Sequence, residues 1–424
     1  MPKVLLVSTY ELGHSPTAVA VPAAALRDRG HEVWVLDLAI DDWDRELAAW
    51  VDRVAISVPM HTAARLAHEL APRITAPIGC FGLYAGMCAD IGTALVGRDP
   101  VSEVVRWVEG DASVTVRTPR PARDLLPDPD RYAHLVRDGI RYPVAATDAS
   151  IGCAHRCRHC PVPVVYDGRI RITDVDTVLA DVAAQVERGA RHVTFGDPDF
   201  FNGVHHSRRL VAAVHSAFPD VTFDCTVKVE HVLRHAELWP ELAASGCLFV
   251  VSAFESVDDA TLAVLDKGHT ARDETRAIVT LRAAGIEPRP TWLPFTPWST
   301  LDGVRGILDF VAGQDLIGNV DPVQYSIRLL VPEGSLLLGH IPDLGPWDPI
   351  KLGYEWTSPL DPLQREFAAV VEAQADEPTG AVFNALRVLV DLPAVDVRHV
   401  TEAPRLSESW FCCAEPTTVQ LRSI

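Results

Sequence analysis

Cys153, Cys157 and Cys160 stand within the segment IGCAHRCRHCPVPVVYDG, Ile151 to Gly168, in the pattern CxxxCxxC. A structural zinc site usually takes four ligands as two CxxC-type pairs. Here one pair is present, and the next thiol, Cys225, lies 65 residues beyond Cys160. Thiolates are soft ligands that suit iron–sulfur clusters, and three of them on a four-iron cube leave one iron open to a small chelating ligand. The spacing therefore points to a [4Fe–4S] cluster ahead of zinc. His155 and His159, interleaved with Arg156 and Arg158, read mainly as basic residues that shape the potential of a negatively charged cluster.

A second group of thiols closes the chain, where SWFCCAEP sets Cys412 beside Cys413. Vicinal cysteines form a strained disulfide, hold a soft metal or metalloid, or offer one thiolate that the other resolves. Trp410 and Phe411 can anchor the tail in an apolar groove, so the expectation is a tail folded over the site with Cys413 presented to substrate. Cys225 and Cys247 sit in strand-like runs and read as small buried hydrophobes, and Cys80 and Cys88 as packing residues. Lys228 and Glu230, two apart in a stretch taken as strand, would share one face as a charged pair near substrate.

These residues need a scaffold, and the apolar runs supply one. Residues 1–115 alternate strand-like runs (KVLLVS, HEVWVLDL, RVAISVPM, PIGCFG) with helical stretches, the βαβ pattern of a Rossmann-like open parallel sheet. Ligands on such sheets lie beyond the strand C-termini; no GxGxxG follows the first strand, so a dinucleotide is disfavoured. Residues 116–141, rich in Pro, Arg and Asp, read as a linker. Residues 142–339 carry six strand-like runs, ending with PVQYSIRLLVP, and predict a partial (β/α)6 TIM-type barrel with its chemistry at the strand C-termini. Asp197, Lys228, Glu230, Glu255, Thr296 and Arg328 collect at those ends. Residues 340–424 form a small C-terminal extension. The fold class is α/β.

The balance of 57 acidic against 38 basic residues, a formal charge of −19, disfavours a nucleic-acid partner. The opening MPKVLLVSTYEL is too short and too soon polar for a secretory signal, and no apolar run nears the roughly 20 residues of a membrane span. The expectation is a cytoplasmic protein with no membrane partner, acting on a small molecule.

CAHRCRHC in the first βα loop, FGDPDFF after the second strand, KVEHV after the third, SAFES after the fourth and LDKGHT at Leu265 to Thr270 together resemble a radical S-adenosylmethionine enzyme with an N-terminal cobalamin-binding-like domain. The similarity spans most of residues 1–335. It implies that Cys153, Cys157 and Cys160 hold the [4Fe–4S] cluster, that S-adenosylmethionine chelates the open iron, and that electron transfer yields a 5′-deoxyadenosyl radical. It also implies an electron donor such as flavodoxin or ferredoxin. The family commonly has Tyr or Phe between the last two cysteines; this chain has Arg158-His159, which leaves adenine to His159 or another arrangement. By the same resemblance Gly196 and Asp197 meet the methionine amino group, and Glu255 and Arg328 reach the ribose or carboxylate.

The base-displaced cobalamin signature DxHxxG is broken here: His14 is present, but Leu12 and Thr17 replace the Asp and Gly. Two readings stand, cobalamin bound with His14, Gly82 and Tyr84 at the sheet edge, or a fold retained for substrate binding or homodimer contacts. SESWFCCAEPTT resembles the terminal signature of a radical S-adenosylmethionine family named for its CCAEP tail, in which some members carry selenocysteine at the position of Cys413. The leading expectation is radical chemistry on a small metabolite with Cys412 and Cys413 as redox, sulfur-donating or soft-ligand thiols. The alternatives are a cobalamin-dependent methyltransferase and a non-catalytic iron–sulfur module.

Overall fold

The structure, a computed structural model, describes residues 1–408. Cys412 and Cys413 lie outside them.

The first sheet contains β1 (Lys3–Ser8), β2 (Glu32–Asp37), β3 (Arg53–Ser57), β4 (Ile78–Phe81) and β5 (Thr93–Leu95), all parallel, in the order β2-β1-β3-β4-β5. Both faces are covered, which is why β1 and β3 read as continuous apolar runs rather than alternating ones. Helices Thr17–Asp28 and Pro100–Glu109 pack on one face through Val19, Leu26, Val101 and Val105, and helix His61–Leu70 packs on the other through Ala64 and Leu70. The three-residue β5 is too short to show a period in sequence. The strand order reverses between β1 and β3, so the loops after these strands flank the crevice where open α/β sheets take ligands.

The second sheet contains β6 (His134–Arg137) and β7 (Ile140–Thr147). After a small antiparallel hairpin, β8 (Ser150–Gly152) with β9 (Ile170–Ile172), it continues with β10 (His192–Phe195), β11 (Thr222–Thr226), β12 (Cys247–Glu255) and β13 (Glu287–Trp292). The order β13-β12-β11-β10-β7 is parallel and curls into a partial barrel; β6 and the short strand Arg405–Leu406 extend it antiparallel. The sixth barrel strand expected at PVQYSIRLLVP is not formed. Residues Pro322–Ser326 make a 3-10 helix, and one parallel bridge, Phe295 to Arg328, remains. The Gln324 side chain accepts the Trp292 N–H at 3.1 Å, a bond a neighbouring strand would otherwise supply.

The segment expected as a linker contributes one buried side chain to the contacts between the sheets. The Arg123 guanidinium, 3% exposed, bonds Asp181 (2.8 and 2.9 Å), the Thr17 hydroxyl (2.9 Å) and the Ala146 carbonyl (2.6 Å). One buried cation thus ties the first helix of the N-terminal sheet to the barrel. C-terminal helices Asp361–Ala373 and Thr379–Leu389 close the far side, with Phe367 on Phe295 and Phe383 on Tyr325 at ring distances of 5.7 and 5.6 Å. No described helix is long and apolar enough to cross a membrane.

Candidate functional site

The hairpin β8–β9 projects the cysteine loop from the C-terminal end of β7. It turns at Gly152, whose φ is +86° and where a Cβ would lie 2.3 Å from the Arg169 carbonyl, so only glycine fits. Asn202 accepts the Ala154 N–H (3.1 Å), and the Arg158 N–H and guanidinium bond the carbonyls of Leu265 (2.9 Å) and Val264 (2.7 Å), fixing the loop from both sides. Cys153, Cys157 and Cys160 line one cavity of about 250 Å³, with His155, His159, Lys228, Glu255 and Lys267 in its walls. Burial pushes the Cys153 thiol up to about 11.

Lys267, 2% exposed, is the more deeply buried of the two lysines that line this cavity. Burial alone would lower its pKa; Glu255, Cys157 and Cys160 outweigh that and raise it. A buried ammonium set against two thiols fits a thiolate-bound cluster carrying negative charge. Glu255 lies between Lys267 Nζ and His159 Nε2, each 3.2 Å from its Oε1. Burial raises its pKa, but the Lys267 charge and the His159 bond prevail and hold it at about 2. Glu255 adopts φ +72° where the β12–β13 register shifts, a conformation side chains other than glycine rarely take and which clusters at functional sites. Burial lowers the His159 pKa, and its Nδ1 makes no hydrogen bond.

Two further cavities adjoin this one. The first, about 270 Å³, lies between the sheet edge and the barrel and is lined largely by apolar residues such as Val21, Pro59, Phe81, Leu83, Ile151 and Val162. Gly82 is in its wall at φ +112°. The second, about 150 Å³, occupies the barrel interior under the loop after β1, with Glu11, Asp148, Asp224, Asp321 and Glu408 against Arg289 and His14. Gly196 borders all three.

Several sequence expectations are relocated. Lys228 and Glu230 are not on a strand: β11 ends at Thr226, Lys228 caps helix Val229–Arg234, and Glu230 lies in its first turn. They still meet, at 3.8 Å; Lys228 lines the thiol cavity, and Glu230 also pairs with Arg234. Asp197 lines none of the three cavities; its carboxylate accepts the Ala149 N–H (2.8 Å) and the Ser150 hydroxyl (2.5 Å), holding the turn before the cysteine loop. Arg328 lies over the Trp356 ring at 3.6 Å and pairs with Asp361 at 3.5 Å, in a separate C-terminal depression. His14 faces the barrel interior, apart from the apolar cavity that Gly82 borders. Tyr84 packs on His61 behind the sheet edge. The tail thiols Cys412 and Cys413 lie outside the described residues. Lys267 was not singled out in sequence, although it stands inside LDKGHT.

Residues 149–307 match the radical SAM superfamily model, so a radical SAM catalytic domain is present. Among solved structures, the chain is similar to the radical S-adenosylmethionine methyltransferase TsrM from Kitasatospora setae with cobalamin and [4Fe-4S] cluster bound. The TM-score is 0.56 at 20% identity, over 74% of this chain and 71% of that one. It is also similar to the cobalamin-dependent S-adenosylmethionine radical enzyme OxsB with aqua-cobalamin and S-adenosylmethionine bound, with TM-score 0.65 at 13% identity, over 88% and 67%. At these identities the likeness is one of fold. No curated protein sequence matches the chain.

Proposed function

We propose that this chain is a cobalamin-dependent radical S-adenosylmethionine methyltransferase acting on a small molecule. The observation that carries the reading is the adjacency of two cavities. The thiol-lined one and the apolar one at the sheet edge share Leu83, Val162, Gly196 and Pro198 in their walls. The division of roles follows from that placement: when bound, the cluster and cosubstrate would supply an electron-driven cleavage of the sulfonium, and the corrinoid would supply methyl transfer.

Cys153, Cys157 and Cys160 would hold the [4Fe–4S] cluster, with Lys267 balancing its charge. His159, oriented by Glu255, would stand in the wall beside the cosubstrate. The apolar cavity suits the face of a corrin ring, and Gly82 keeps its wall open. At about 270 Å³ it is smaller than a whole corrinoid, whose remainder would lie outside it. No histidine lines it, so this reading gives the corrinoid no imidazole from that cavity. Substrate is assigned to the barrel interior, where acidic groups outnumber Arg289 and His14. The tail SESWFCCAEPTT supports membership of the CCAEP-tail group, and an external donor such as flavodoxin or ferredoxin supplies the electron.

The test is anaerobic reconstitution with iron, sulfide and hydroxocobalamin, followed by desalting, addition of S-adenosylmethionine and reductant, and analysis of the products. About four irons per chain, retained cobalamin and S-adenosylhomocysteine support methyl transfer. The same iron with 5′-deoxyadenosine and no retained cobalamin would replace it with radical chemistry assisted by Cys412 and Cys413. No cleavage product at all would leave an iron–sulfur binding module.

A further inference from the structure

Beside the thiol loop, side chains from three successive loops of the barrel converge. His155 comes from the cysteine loop, Asp199 from the turn after β10, and His231 from helix Val229–Arg234 after β11. Asp199 Oδ2 lies 3.4 Å from His155 Nε2 and 2.9 Å from His231 Nδ1. The three atoms lie within 4.8 Å of one another. Asp199 is wholly buried and His231 6% exposed.

None of these three atoms makes a hydrogen bond. The other Asp199 oxygen, Oδ1, accepts the Phe201 N–H at 2.9 Å, so the carboxylate is fixed with Oδ2 turned to the imidazoles. The 2.9 Å approach of His231 fails as a hydrogen bond in direction, not distance. Burial would raise the Asp199 pKa, and the two imidazoles hold it below its ordinary value instead.

We propose that His155 Nε2, Asp199 Oδ2 and His231 Nδ1 form a mononuclear site for a divalent transition ion, separate from the three thiols. Nitrogen and oxygen ligands sit about 2.0–2.2 Å from such an ion, which places two ligand atoms about 3.0 Å apart at a right angle and about 3.4 Å apart at a tetrahedral one. The two separations from Asp199 Oδ2, 2.9 and 3.4 Å, fall at those values. Two imidazoles and a carboxylate suit zinc or ferrous iron. The ion would tie the cysteine loop to its two neighbours. The proposal stands whether or not a corrinoid binds.

The test uses full-length chain with Cys153, Cys157, Cys160, Cys412 and Cys413 replaced by alanine, dialysed against Co²⁺ and read by visible spectroscopy and metal analysis. About one Co²⁺ per chain, displaced by Zn²⁺ and with ligand-field bands but no sulfur-to-cobalt charge transfer, is expected. Asp199→Asn and His231→Gln should each weaken it roughly tenfold or more. As a second measurement that does not depend on the fivefold variant folding, the cluster-reconstituted wild type should carry about one zinc beyond its iron, which Asp199→Asn loses while keeping the iron. Co²⁺ and zinc both absent, or retained unchanged in Asp199→Asn and His231→Gln, overturns the site and leaves a carboxylate between two imidazoles.

Discussion

Lys267 Nζ and Glu255 Oε1 lie 3.2 Å apart at the floor of the thiol-lined cavity, and His159 reaches the same oxygen from the cysteine loop. The pair joins the end of β12 to the segment after the following helix, and its charges stay buried because each has the other. Lys267→Met strands the Glu255 carboxylate and should destabilise the chain by about 3–5 kcal/mol, the usual loss when one partner of a buried pair is removed. Lys267→Met with Glu255→Gln should recover part of that loss. Urea denaturation of the single and double variants measures it.

Buried carboxyls give the opposite pH response to Glu255. Burial pushes Asp148 to about 6 and Asp197 to about 7, the latter also through the nearby Asp148 charge. Their folded-state values exceed the unfolded ones, so the stability they contribute is full below the ordinary carboxyl range and is lost as pH rises through about 6–7. Glu255, held at about 2, contributes stability above its ordinary value that is lost only as pH falls toward 2. The contribution of these two carboxyls to the stability of the cofactor-free chain should therefore fall between about pH 4 and pH 7. Asp148→Asn should flatten that slope by about 1–3 kcal/mol across the window. Denaturation midpoints at both pH values decide it.

Gly196 stands where the three cavities meet, and a Cβ there would lie 2.5 Å from Asp148 Oδ1. Gly196→Ala must displace that carboxylate into the cavity junction. The expected outcome is about 1–3 kcal/mol of destabilisation with weaker retention of both cobalamin and S-adenosylmethionine. Equilibrium dialysis of each ligand separates this from a purely structural effect.

Arg123 is the buried clamp between the two sheets, and Asp181 is its charged partner at 2.8 Å. Arg123→Met should cost about 3–5 kcal/mol. It should also expose the segment around residue 120 to protease, because the guanidinium holds that segment to both the first helix and the end of β7. Arg123→Met with Asp181→Leu removes the stranded charge, so a double-mutant cycle reports the pair and limited proteolysis the segment.

The sequence by itself determined what is local. Continuous apolar runs broken at turns marked both parallel sheets, and CxxxCxxC after a strand marked the loop that gathers three thiols at one cavity, since spacing along one loop survives folding unchanged. Burial of Cys80, Cys88, Cys225 and Cys247 followed from their apolar neighbours. The same logic failed at element ends. KVE reads equally well as strand or helix start, which put Lys228 and Glu230 on a strand, and a run with strand-like residues at Pro322–Ser326 became a 3-10 helix once Gln324 had taken the bond at the edge of β13.

Tertiary structure alone decided who faces whom. Periodicity says which side of an element is buried but not what lies across from it. Hence Arg328 went to Trp356, Asp197 to its own neighbouring turn, and His155 to Asp199 and His231. Lys267 came under the thiols because a buried ammonium is stable only where opposite charge meets it, and that charge is assembled from segments far apart in the chain.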